Sequence, residues 1–244
     1  MINVIRSNFY KFSKSKFGYF YLGLVLLNVI VFIILQAKGG NYLVSGAQEL
    51  SLFSDPVQDY GFMIILFTAM MVHVDFSNGS IKNILGRGIL REKYLIGNII
   101  SFSIVSILIW LSTTLIIIVV DSIIYKFGTG IRIDQIFFSY ILGIIYIIAY
   151  ITMIVSITAI TKSGIIGAIV AVAIYNINTF VGFIGIFMKK NIDIHNFSMS
   201  FYLYSASQGS VSNEFIFRGI GLGVLCIIIF SIIGIVILKR QDVK

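Results

Sequence analysis

Apolar positions run along this chain in long unbroken blocks rather than recurring at helical or strand intervals. Stretches without Asp, Glu, Lys, Arg or His cover Phe17–Leu35, Leu95–Val120, Ile136–Thr161, Ser163–Met188 and Gly219–Leu238. At 1.5 Å per residue, about 20 apolar residues cross a hydrocarbon core of about 30 Å. Each block therefore predicts a membrane-crossing helix. A further block, Tyr60–Val74, spans 15 residues and contains His73. By length alone it reads as a buried core helix, a re-entrant segment or a short crossing.

The positions of Lys and Arg decide between these readings. With six crossings and a cytoplasmic start, the inner segments are 1–16, 75–94, Lys162 and 239–244, holding twelve Lys/Arg. The outer segments hold six: Lys38, Lys126, Arg132, Lys189, Lys190 and Arg218. This is the asymmetry of the positive-inside rule. Dropping the short block would invert every later loop and place the basic 75–94 segment on the same side as 121–135. Six crossings with both termini inside is the better reading.

Composition agrees, with 58 % hydrophobic and 11 % charged residues among 244, against about 25 % charged in a soluble domain. A mean hydropathy of +1.01 exceeds what one soluble core could hide. The net charge of +8 would suggest nucleic acid in a soluble protein, but here the membrane rule explains its distribution. Cys226 is the one cysteine, so no disulfide or thiolate metal site forms within a single chain. The first apolar block lacks a small-residue cleavage site and is read as a membrane anchor, not a signal peptide.

Two segments outside the blocks have organised patterns. In residues 1–16, Ile2, Ile5, Phe9 and Phe12 share one helical arc while Lys11 and Lys14 project away. That fits an interfacial helix with its apolar side in the acyl boundary; a frayed tail is the alternative. In the 75–94 loop, Asn78 or Ser80 is placed to cap a short helix with Ile81, Ile84 and Leu85 on one face. Gly86 and Gly88 end it, and Arg91 and Lys93 stand at headgroup height. Such a helix suits docking into another protein's groove.

The order Asp75, Gly79-Ser80, Ile84-Leu85, Arg91 and Gly97 resembles the inner loop of the ABC type-2 permease family. Gly88 stands where that family usually has proline, and Asn98 where it has lysine. An interfacial first helix, six crossings and a short basic C-terminus extend the likeness to the whole topology. The resemblance implies an all-α integral protein of the plasma membrane, paired with a second permease and served by a separate ATPase subunit. It implies a coupling role toward that ATPase for Gly79, Ser80, Ile81, Lys82, Ile84, Leu85, Arg87 and Arg91, with Arg91 bridging to an acidic surface or a lipid phosphate.

No GxxxxGK[ST] loop occurs in the chain, so no backbone cradle for nucleotide phosphates is expected. ATP and magnesium would be held by the partner. The five charge-free blocks also lack the intramembrane ionisable residues of proton relays, ion pumps and intramembrane hydrolases. Asn28, Asn176, Asn178 and Thr179 are the polar residues placed to line a substrate path; interhelical hydrogen bonding is their simpler role. Gly164, Gly167, Gly219 and Gly223 are expected to let helices approach within one subunit. The segment 189–218, with its aromatic run Phe197–Tyr204, is expected to dip back into the interface.

The reading is therefore the permease of an ATP-driven exporter. Its resemblance to small permeases of lantibiotic immunity and phenol-soluble modulin export implies amphipathic peptides as substrate. Export of hydrophobic drugs or lipids, a non-transporting membrane partner of an ATPase, and a channel remain as alternatives.

Overall fold

The computed structural model describes residues 1–37, 56–125, 133–175, 199–207 and 212–241; among these, nine α-helices and no strand are found. In chain order they are α1 (Ile2–Lys14), α2 (Lys16–Ala37), α3 (Pro56–Ser77), α4 (Ser80–Gly86), α5 (Arg91–Tyr125), α6 (Ile133–Thr161), α7 (Gly164–Tyr175), α8 (Met199–Ser207) and α9 (Asn213–Arg240).

Five of them, α2, α3, α5, α6 and α9, are long and apolar enough to cross a membrane. α3 shows why its block looked short. The helix has 22 residues, about 33 Å, but counting only charge-free positions stops it at Asp59 and Asp75. Asp75 is buried within the protein and counts as interior. α5 has 35 residues, about 52 Å, so it outreaches the hydrocarbon core. The block predicted over Ser163–Met188 is described only as the apolar α7, Gly164–Tyr175. Its remainder lies outside the described residues.

The centre of the bundle is α6, which packs against α3, α5, α7, α8 and α9. Leu142, Tyr146, Ile147, Ile151, Ile154 and Val155 along it are all buried. By contrast α2 and α9 turn large apolar side chains outward, among them Leu26, Leu27 and Ile30, and Leu225, Ile228 and Ile232. Contiguous apolar surface of that kind is stable against lipid and not against water.

α9 lies close on α6 because glycines face it. The Tyr146 hydroxyl donates to the Gly219 carbonyl at 2.9 Å, and a Cβ at Gly223 would lie 2.7 Å from Ile145 Cγ2 and 2.8 Å from Tyr146 Cε1. The small-residue stripe is thus used inside one chain, as expected. Gly223→Val is predicted to force the two helices apart at a cost of about 1–3 kcal/mol, read as a lower melting temperature in detergent micelles.

α8 falls within the predicted 189–218 segment. It packs on α6 and α9, burying Tyr202 and Leu203, while the Ser139 hydroxyl donates to the Ala206 carbonyl at 3.1 Å. At the opposite end of the bundle, α1, α4, the start of α5, the α6–α7 turn and the end of α9 come together.

Candidate functional site

α4 begins and ends on backbone geometry that only glycine adopts without strain. Gly79 has φ 66° and its carbonyl accepts from the Lys82 N–H at 3.0 Å. Gly88 has φ 79°, and its N–H donates to the Leu85 carbonyl at 3.0 Å. The left-handed region costs other residues about 1–2 kcal/mol. The side-chain cap expected from Asn78 or Ser80 is not made; the left-handed glycine turns the chain instead.

The apolar face of α4 is directed inward. Ile81 is 2 % exposed within the main core, and Ile84 and Leu85 pack half-buried against it. Ile81 therefore offers nothing to a partner, which corrects the expectation that all three present a docking face. The residues turned outward are Lys82, Asn83, Gly86 and Arg87, with Leu90 after them; Gly79 and Ser80 are half-buried.

Arg91 is also engaged within the chain. Its Nη1 donates to the carbonyls of Leu238 and Lys239 at 2.9 Å each and of Gln241 at 2.5 Å. These are carbonyls left over at the C-terminus of α9, where a guanidinium satisfies both hydrogen bonding and the helix dipole. The partners the structure gives Arg91 are thus within the chain, through Nη1. Beside it Lys239 pairs with Glu92 at 2.5 Å, and the Gln241 amide donates to the Ile160 carbonyl at 2.7 Å. The end of α9 is thus tied to both the start of α5 and the end of α6. A hollow of about 470 Å³ opens here, lined by Leu85, Gly88, Ile89, Leu90, Arg91, Glu92 and Lys239.

A second network fastens α1. Lys11 Nζ lies 2.5 Å from Asp75 Oδ1, and the Tyr94 hydroxyl donates to Asp75 Oδ2 at 3.1 Å. Asp75 is 2 % exposed, so this pair joins α1, α3 and α5 in a dry setting. One turn away, Asn8 Nδ2 donates to Asn98 Oδ1 at 2.6 Å and to Ser101 Oγ at 3.1 Å. Val4 closes on Gly97, where a Cβ would meet Val4 Cγ1 at 2.9 Å. Of the arc drawn from sequence, Ile2 and Phe9 are exposed, while Phe12 packs against the core and sets its ring edge-on to Phe67 at 5.4 Å. Asn98, whose role the sequence left open, receives one here. Asn8→Ala is expected to leave the Asn98 Oδ1 without its donor in the interior, costing about 1–3 kcal/mol and loosening α1, measured as faster proteolysis near the N-terminus.

Among the path candidates, Asn28 is half-buried on α2. Asn176, Asn178 and Thr179 lie outside the described residues. Two intramembrane hydroxyls bond their own helix: Thr113 to the Ile109 and Trp110 carbonyls at 2.9 Å each, and Thr152 to Ile148 at 2.7 Å. Such back-bonding makes them tolerable in lipid without any transported ligand.

None of the curated proteins matches the chain. A family described as ABC-2 family transporter protein matches residues 4–179, a stretch that runs from α1 through α7 and includes α4, Asp75 and Arg91. With five apolar helices of crossing length and a match over most of its length, this multi-pass protein of the plasma membrane belongs to the ABC-2 transporter family, as a membrane component and not a nucleotide-binding one.

Proposed function

We propose that the chain is the permease subunit of an exporter of amphipathic peptides, driven by a separate ATPase that seats on the α4 end of the bundle. The observation that carries the coupling half of this reading is the Arg91 clamp. A push on α4 reaches the start of α5 within a few residues and the end of α9 through three hydrogen bonds. The outward residues Lys82 and Arg87, supported by the half-buried Ile84 and Leu85, make the contact; Gly79 and Ser80 set the entry turn. ATP and magnesium belong to the ATPase, and a second permease, identical or different, completes the path.

The peptide half rests on the resemblance to small peptide-exporting permeases and on the lipid-facing surfaces of α2 and α9. These are apolar and largely aliphatic, lie along charge-free blocks, and suit a substrate that enters sideways from the bilayer. A hydrophobic drug or a lipid would use the same surfaces.

The test is to co-express the chain with the ABC ATPase encoded beside it and reconstitute the pair in lipid nanodiscs. ATP turnover is then measured with amphipathic peptides, hydrophobic dyes or added lipid. Peptide-stimulated turnover is the expected result. Stimulation by dye or lipid alone would replace the substrate, and a complex indifferent to all three would make the chain a non-transporting partner. Arg87→Glu is expected to lose co-purification of the ATPase, with the melting temperature of the permease unchanged.

A further inference from the structure

Asp121 is buried like Asp75, but nothing in the chain answers its charge. It is 1 % exposed, its Oδ2 has no hydrogen-bond partner, and no ion pair reaches it among the described residues. It stands near the C-terminal end of α5, about 45 Å along the axis from Arg91 at 1.5 Å per residue. That distance exceeds a hydrocarbon core of about 30 Å, so Asp121 and the α4 end lie on opposite sides of the bilayer. A carboxylate taken from water without a countercharge is strongly destabilising, and ionisable groups in membrane proteins mark pathways and call for a partner.

The neighbouring residues say which cation fits. Thr114, two turns earlier on the same face of α5, is 2 % exposed and its Oγ1 is unpartnered as well. Thr113 beside it spends its hydroxyl on its own helix. Between Thr114 and Asp121, Ile117 forms a small apolar cluster with Val29, Phe32 and Ile33 from the C-terminal half of α2. This cluster is separate from the two that hold the rest of the bundle, so parting α2 from α5 here leaves both intact. A hard divalent cation needs six or more oxygens, and no group of three His, Cys, Asp or Glu is found among the described residues. A lysine side chain brings what this face lacks: methylenes for the apolar cluster and an ammonium for the carboxylate.

Resting on the peptide-export reading, we propose that Asp121 is the recognition site for an ammonium group of the exported peptide. The substrate is then a cationic amphipathic peptide. Its apolar side lies along α2, and one lysine passes between α2 and α5 to reach Asp121. The Thr114 hydroxyl offers a polar foothold further along the same face.

The experiment uses the full-length permease with the ATPase encoded beside it, in phosphatidylcholine nanodiscs. A synthetic leucine–lysine helix, acetylated at its amino terminus, is compared with the same peptide carrying acetyl-lysine throughout. Asp121→Asn is expected to raise the concentration of the lysine peptide needed for half-maximal ATP turnover about ten-fold or more, the scale of one lost charge-assisted hydrogen bond. The acetyl-lysine peptide should act alike on both proteins, and Asp121→Glu should keep the lysine preference. On the unaltered protein, carbodiimide coupling should join the peptide's lysine to Asp121, located by mass spectrometry. Equal loss for both peptides, or no loss for either, would overturn the site while peptide export stood. A dependence on sodium in place of peptide charge would make the occupant an inorganic cation and overturn it too. A loss confined to an acetyl-lysine peptide with a free amino terminus would keep the site and make the terminus its ligand. If neither peptide stimulated the unaltered complex, the export reading would fall and the site with it.

Discussion

Lys11→Met is expected to destabilise the protein by about 3–5 kcal/mol, because it leaves a carboxylate in the interior with its countercharge removed. Asp75 is nearly inaccessible, and its remaining partner would be the Tyr94 hydroxyl, which offers one hydrogen bond and no charge. The reverse change, Asp75→Asn, should cost less. Lys11 is 28 % exposed, so its ammonium can swing toward headgroups while its methylenes stay in place. The double variant Lys11→Met, Asp75→Asn should recover most of the loss. Thermal unfolding in detergent, run as a double-mutant cycle, gives the coupling directly. Additive effects in the two single variants would show that the pair contributes nothing.

Arg91→Ala is expected to cost about 2–3 kcal/mol in stability and considerably more in function. Three carbonyls lose a charged donor, although those near the surface regain water, which keeps the figure below the sum for three charged hydrogen bonds. Functionally the end of α9 would no longer follow α5. ATPase binding should persist, since Lys82 and Arg87 are untouched, while peptide-stimulated turnover falls toward the basal rate. Arg91→Lys should restore only part of it, because all three bonds are made by the outermost nitrogen, Nη1, and the lysine ammonium lies one atom nearer the backbone. Turnover and co-purification measured on the same preparations separate the two effects. Loss of binding in Arg91→Ala would mean that the clamp shapes the docking surface and does not transmit through it.

The helices were legible because lipid imposes a length and a composition that any sequence must show. α2, α5, α6 and α9 follow their blocks to within a few residues at most ends. The N-terminal end of α9, which starts at Asn213 ahead of the block at Gly219, runs further. The short helix at 80–86 was legible too, from its glycines and its three-residue apolar face. What that face touches was not, because an amphipathic segment looks the same whether it docks on a partner or on its own bundle. Arg91 and Leu238 are 147 positions apart, and nothing in the local pattern around either announces the other. Lys11 read as a cation projecting away from the apolar arc, and Asp75 as the acidic position of the inner loop. Only the close approach of α1 to α3 and α5 makes them a buried pair. Asn98 carried a faint signal: a polar side chain one turn before Ser101, where an apolar crossing was beginning.

The central position of α6 has a consequence for how the chain is made. A membrane protein assembles in two stages, insertion of separate helices and then their association. α2, α3 and α5 leave the ribosome before α6, and the surfaces of α3 and α5 that α6 will cover, including Ile65, which shares a core cluster with Leu142 and Tyr146, have no substitute until it arrives. A nascent chain stopped short of residue 133 would hold inserted but loosely associated helices, open to quality-control proteases. Synthesis past Thr161 would then close the bundle around α6, and α9 would seal it last by setting its glycines on Tyr146 and its final turn under Arg91.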